Sequence, residues 1–303
     1  MLRSVWALSA ALVLATGCGG HESASKAPLK KPVMQTPLTL GITATISFEI
    51  AKKDGTRLEQ LMSESLGEPV SIQVYASYSS LVDALVAGML DLAWMPPLAY
   101  VKARRQAQVI PIRKATRAGH ASYKSVLFTK KDSKLKSPAD LKGTRVGWVS
   151  QLSSSGYVFP RVLLMDAGIN PNGFFGEEVF LDGHLAVCEA VANGTVDVGA
   201  TFTDDIFEQI PKRVSACAKM GVFADDTFKV LSATPEVPSD VIVARVGLDP
   251  MMIKSVGTAL DGMANIKDLR AQLGRSLDAD GFIEVGMSDY MEVERALEVL
   301  ESE

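Results

Sequence analysis

Two segments of the chain repeat at one fixed offset, and no other feature constrains the fold as strongly. Val82-Asp83-Ala84-Leu85-Val86-Ala87-Gly88-Met89-Leu90-Asp91-Leu92-Ala93 aligns with Cys188-Glu189-Ala190-Val191-Ala192-Asn193-Gly194-Thr195-Val196-Asp197-Val198-Gly199, every pair 106 positions apart. Each copy reads as an amphipathic helix, a glycine just past its end and a short buried strand. A β-rich run precedes each helix, Val70 to Ala76 in one copy and Val179 to Leu181 in the other. A strand–helix–strand unit sets its two strands parallel, so the repeat predicts two similar α/β lobes with parallel sheets. Pro37 to Thr43 adds a strand to the first lobe, and Ser125 to Lys131 and Arg145 to Val149 add strands to the second. Asp240 to Val246 reads as a return strand, followed by helices over Pro250 to Leu260 and Met291 to Leu300. The expected bodies are therefore residues 38–122 plus 241–303 and residues 123–240. Two crossings near Tyr123 and Asp240 make a two-strand hinge, and the cleft between the lobes is the natural ligand site.

The N-terminus carries a different signal. Residues 1–17 have a basic Arg3, an apolar run from Val5 to Ala15 and small residues Ala15-Thr16-Gly17, the pattern of a secretory signal. Cys18 follows directly, which resembles a bacterial lipobox, where that cysteine is lipidated and becomes residue one. The other reading is a plain signal peptide with an incidental cysteine. The apolar run is too short to span a bilayer, and residues 18–37 read as a flexible polar tether. A net charge of −4 with no long basic run argues against a nucleic-acid partner. With no Cys-x-x-Cys pair, no His-Glu-x-x-His and only His21, His120 and His184, no metal or other cofactor is expected. Cys188 and Cys217 either pair, as an oxidising compartment allows, or Cys188 is a buried thiol on its helix.

The chemistry concentrates at Ser153-Ser154-Ser155-Gly156. A strand-like run, Arg145 to Val149, leads in, and an apolar segment from Tyr157 to Met165 leads out, with Pro160 near its start and Gly168 past its end. Hydroxyls and free backbone N–H groups at a helix N-terminus bind anions. Alternatively one serine is an N-cap and the other two fill the loop.

With these motifs in order, the chain resembles the phosphate-, phosphite- and phosphonate-binding proteins of ABC transporters, which have the type II periplasmic-binding-protein fold. The resemblance runs from Leu38 to about Ala296. It rests on Tyr78 ahead of the helix ending in Gly88, Asp91-Leu92-Ala93-Trp94, Tyr123-Lys124-Ser125-Val126, Asp140-Leu141-Lys142-Gly143, the serine run, Gly183-His184 and Pro238-Ser239-Asp240. It implies that Ser153, Ser154 and Ser155 hold the phosphorus oxygens, with His184, Tyr78 and a hinge tyrosine, Tyr123, around them. Tyr78 and His184 are themselves 106 apart. Family acids correspond to Asp204, where an aminophosphonate binder carries the longer glutamate, and to Asp240. Structural readings stand beside these: packing tyrosines, a satisfied histidine, and aspartates that cap helices, Asp204 ahead of Ile206-Phe207. Asp91 and Asp197 read as structural, and Trp94 and Trp148 as core or cleft wall.

An ionised phosphonate offers only acceptors, so hydroxyls, imidazole and N–H groups suffice for it without lysine or arginine. The acids then either accept from a protonated phosphoryl oxygen or hold an ammonium on the ligand. The resemblance implies a monomeric, lipid-anchored binding protein on the periplasmic or cell-envelope side, passing its ligand to an ABC permease in the inner membrane. A ligand-sensing receptor domain for a membrane signalling partner is the alternative. Catalysis by Ser154 or Cys188 is not expected, because no Gly-x-Ser-x-Gly elbow is present.

Overall fold

The structure, a computed structural model, describes residues 36–43, 48–219, 221, 223–224 and 226–302. The signal segment, nearly all of the tether and Cys18 lie outside the described residues. In chain order the strands and α-helices are β1 (Leu38–Thr43), α1 (Phe48–Leu66), β2 (Val70–Tyr75), α2 (Tyr78–Val86), β3 (Leu92–Met95), α3 (Pro97–Gln106), β4 (Val109–Thr116) and β5 (Ser122–Lys130). Then come β6 (Arg145–Trp148), α4 (Phe159–Asp166), β7 (Glu177–Phe180), α5 (His184–Asn193), β8 (Val198–Thr203), α6 (Ser215–Lys219) and β9 (Phe228–Pro238). The chain finishes with β10 (Val241–Arg245), α7 (Pro250–Asn265), α8 (Lys267–Leu277), β11 (Gly281–Ile283) and α9 (Met291–Glu301).

The repeat seen in the sequence is a repeat of backbone register. In the first sheet, Leu40 and Gly41 of β1 pair in parallel with Leu92 and Ala93 of β3; in the second, Val146 and Gly147 of β6 pair with Val198 and Gly199 of β8. Each member of the second set lies 106 residues beyond its counterpart. Gly88 and Gly194 both have positive φ, the left-handed conformation that ends a helix cheaply only at glycine. Asp91 and Asp197 also do the same work. Asp91 accepts from the Thr39 amide at the start of β1 and pairs with Arg245, and Asp197 accepts from the Arg145 amide and pairs with that guanidinium.

Each sheet has a parallel heart, β2-β1-β3 or β7-β6-β8, extended by antiparallel strands. The sheets are thus mixed: β10 inserts antiparallel between β3 and β4 in the first, and β5 lies antiparallel between β8 and β9 in the second. Side chains alternate across them as strand geometry requires. Ala93, Met95, Val241 and Val243 face a cluster with α2, α3 and α9, whereas Leu92, Trp94, Ile242 and Ala244 face α1, α7 and α8. Two further clusters cover the faces of the second sheet. Val158, just ahead of α4, is buried in the same cluster as α3 and α9, so an apolar seam joins the layers of the two sheets.

The chain passes from β4 to β5 through residues 117–121 and returns from β9 to β10 through Ser239 and Asp240. The two crossings lie side by side: the Ser239 amide donates to the Ala121 carbonyl at 3.0 Å and the Ala115 amide to the Asp240 carbonyl at 2.9 Å. Cys188 on α5 and Cys217 on α6 form a disulfide with their Cα atoms 5.7 Å apart, which resolves the choice between pairing and a buried thiol. The helix suggested after Asp204 does not form. Pro211, which lacks an N–H, interrupts that stretch, and α6 begins only at Ser215.

Candidate functional site

The exit of β6 builds the serine cradle. A π-helical turn over Ser154–Val158 precedes α4, and Ser153 caps it by accepting the Gly156 amide proton at 3.0 Å. Gly156 is needed because the loop folds tightly onto β6; a Cβ there would lie 2.3 Å from Val149 Cγ2. The three serines are almost fully buried, at 2 %, 1 % and 4 % exposure. Ser153 is the cap that the simpler reading allowed, but its neighbours are not loop filler. Ser154 Oγ accepts the Leu98 amide proton from the first turn of α3 at 2.9 Å, and the Ser125 hydroxyl donates to the Ser155 carbonyl at 2.7 Å. Ser154 also hydrogen-bonds the Tyr123 side chain, so these two hydroxyls face the cavity as a linked pair.

Ser153, Ser154 and Ser155 line one cavity of about 420 Å³ together with Tyr78, Tyr123, His184 and Asp240, a size typical of a small-ligand site. Tyr78 and His184 reach it from the first residues of α2 and α5, capped by Ser77 and Gly183. Burial raises both tyrosine pKa values well above the ordinary value, with the Asp240 charge adding to it, so both phenols stay protonated donors. Burial pushes His184 down to about 4, leaving a neutral ring near pH 7. Its Nδ1 lies 2.7 Å from the Thr201 hydroxyl, and its ring meets Phe202 edge to face. A second chamber of about 490 Å³ shares Thr43, Tyr78 and His184 with the first. Trp94 forms cavity wall, and Trp148 is buried in the core of the second sheet.

Of the eight residues expected to contact the ligand, Asp204 alone is not part of this cavity wall. It sits behind it, with its amide bonded to Ser215 Oγ and its carboxylate Oδ2 2.7 Å from Lys219 Nζ. Asp204 Oδ1 is buried without a hydrogen-bond partner among the described residues.

The expectation that the site manages without lysine or arginine is corrected by the structure. Arg117, 8 % exposed, lines the cavity and holds Asp240 Oδ2 at 2.5 Å and Asp278 Oδ2 at 2.9 Å. Lys219 lines it too and joins Asp204 to Asp278 Oδ1, the latter at 2.8 Å. Burial pushes the Asp240 carboxyl above its ordinary value although Arg117 pulls the other way, and the two acids beside Arg117 hold that guanidinium firmly protonated. Arg117, Lys219 and Asp278 carry no motif. Arg117 and Asp240 meet because they lie on the two crossings, and Asp278 caps α8 in the left-handed conformation. The one available signal was position, since a residue beside a crossing must border the cleft.

Comparison with known proteins places this geometry in a family. The family model described as an ABC transporter, phosphonate, periplasmic substrate-binding protein matches residues 40–290. A phosphate-import protein, PhnD of Mycolicibacterium smegmatis, is 23 % identical over 282 residues, spanning 90 % of this chain and 83 % of its own. PhnD1 of Prochlorococcus marinus, solved in complex with methylphosphonate, superposes with a TM-score of 0.74 at 22 % identity, covering 87 % of this chain and 98 % of that one. A binding-protein component of an ABC phosphonate transporter from Pseudomonas aeruginosa gives a TM-score of 0.75 at 21 % identity, with 86 % of each chain covered. The fold is that of a type II periplasmic binding protein. The chain belongs to the phosphonate family of periplasmic substrate-binding proteins of ABC transporters, and its work is binding rather than catalysis.

Proposed function

We propose that this protein captures a small phosphorus oxyanion (phosphonate, phosphite or phosphate) between two lobes, 38–122 plus 241–303 and 123–240, and delivers it to an inner-membrane ABC permease. The observation that carries this reading is the convergence of donors on one cavity. Three serines, two protonated phenols, a neutral imidazole and two cations line it. An oxyanion with three or four acceptor oxygens matches such a donor set. In this reading Thr201 donates to His184 Nδ1, which fixes the remaining ring proton on Nε2 for the ligand. Tyr78, Tyr123, His184 and the serine run contact the ligand. Asp240 acts through Arg117, and Asp204 through Lys219.

One relative named for phosphate import, and a second named for phosphite and solved with methylphosphonate, agree with that chemistry. The protein works as a monomer, lipid-anchored through Cys18, and the permease reads its closed state. The test is a thermal-shift panel of phosphate, phosphite and methylphosphonate on the full chain. A ligand at a hundred times its Kd stabilises the folded state by roughly 2.7 kcal/mol. If no phosphorus oxyanion raises the melting temperature, the proposal fails. Mass spectrometry of membrane-extracted protein checks the anchor, which requires an acylated N-terminal Cys18.

A further inference from the structure

We propose that Lys219 is a built-in ammonium that sets the ligand class: the site takes phosphorus oxyanions with an uncharged substituent and turns away aminoalkylphosphonates. This rests on the oxyanion reading above and narrows it. A ligand ammonium binds where carboxylate oxygens are free to accept its protons. Here Lys219 and Arg117 hold four of the six carboxylate oxygens of Asp204, Asp240 and Asp278, and the unpartnered Asp204 Oδ1 is buried behind the cavity wall. Lys219 Nζ sits 2.7 Å from Asp204 Oδ2 and 2.8 Å from Asp278 Oδ1. Arg117, a fixed cation, occupies Asp278 Oδ2 and Asp240 Oδ2. The aromatic face that could also receive a cation is covered, because Lys219 Nζ lies 5.6 Å from the centroid of the Phe202 ring.

Lys219 is also held at its base. Cys217, two residues earlier, is tied to α5 by the disulfide, and Ser215 at the start of α6 bonds to Thr203 and to the Asp204 amide. Although the Lys219 side chain keeps 36 % exposure, admitting a second ammonium requires its nitrogen to leave both carboxylates. Beside the Asp54 carboxyl and the cation-bound Asp240 and Asp278, the cavity offers a ligand hydroxyl, phenol, imidazole and cation, which favour oxygen-rich anions.

The discriminating pair is n-propylphosphonate and 2-aminoethylphosphonate, which match in length and differ by a methyl against an ammonium. Calorimetry on the full wild-type chain should show propylphosphonate binding at least tenfold more tightly. Lys219→Ala leaves Asp204 and Asp278 facing an ammonium-sized space, so the preference should shift by at least tenfold toward 2-aminoethylphosphonate. Lys219→Met keeps the stem and removes the charge, so it should weaken phosphate and propylphosphonate without opening that space. Equal wild-type affinity for the pair overturns the inference by itself, whether or not either variant folds. An unchanged preference in Lys219→Ala overturns it as well. Absence of wild-type binding to every phosphorus oxyanion is a different result, which removes the oxyanion reading and this inference together.

Discussion

Ser154 takes the Leu98 amide proton on one side and faces the cavity on the other, so two effects follow from losing its hydroxyl. Ser154→Ala leaves a buried N–H without an acceptor, which costs roughly 1–3 kcal/mol of stability. It also removes a donor from the ligand, expected to weaken methylphosphonate about tenfold to a hundredfold. Melting curves and calorimetry separate the two, and a lower melting temperature with unaltered affinity would leave Ser154 purely structural. His184 makes a different prediction. Its folded pKa of about 4 lies below the value of about 6.5 expected in an unfolded chain. The stabilisation is therefore present above pH ~6.5 and is lost as pH falls toward 4, amounting to roughly 3 kcal/mol at most. Wild-type protein should lose more stability than His184→Gln between pH 7 and 4.5, and equal losses would remove the burial argument. The serines, Tyr78 and His184 could be found in the sequence because each sits at a strand-to-helix turn with motif spacing, and Tyr123 because it lies beside a crossing, at the start of β5. Arg117, Lys219 and Asp278 could not, since three separate segments bring them together.

At the scale of elements, the repeat announced β3, α2, α5 and β8 because an amphipathic helix, a glycine and a buried strand have distinct periods. Helix α8 was hidden: its buried side chains are Gln272, Leu273 and Leu277, too few for a clear apolar stripe. Strand β9 was hidden for another reason. Proline and glutamate interrupt its apolar residues, and an edge position next to β5 tolerates them. The π-helical turn is the element most sensitive to sequence. Gly156→Ala drives a methyl into Val149, an overpacking that typically costs about 1–3 kcal/mol. Because Ser153 and Ser154 flank that contact, methylphosphonate affinity should fall along with the melting temperature. Retained affinity in a destabilised variant would show that the cradle relaxes without moving its hydroxyls.

For the whole molecule, the two crossings lie side by side, and Arg117 and Asp240 staple them together. Ligand-driven closure predicts a smaller radius of gyration by small-angle scattering when methylphosphonate is added to the full chain, and an unchanged radius would argue for a preformed, rigid cleft. The disulfide has a further consequence, one of timing. It joins α5, which begins with His184, to α6, which ends with Lys219, across 29 residues. A five-residue helix has little stability alone, so before oxidation the ammonium opposite Asp278 is held only by the Ser215 bonds and its own ion pairs. A reducing cytosol keeps thiols apart, so a copy there would hold Lys219 less firmly than an oxidised one. In a periplasmic binding protein that tie forms after export, so the pocket reaches its full rigidity in the compartment where the family works.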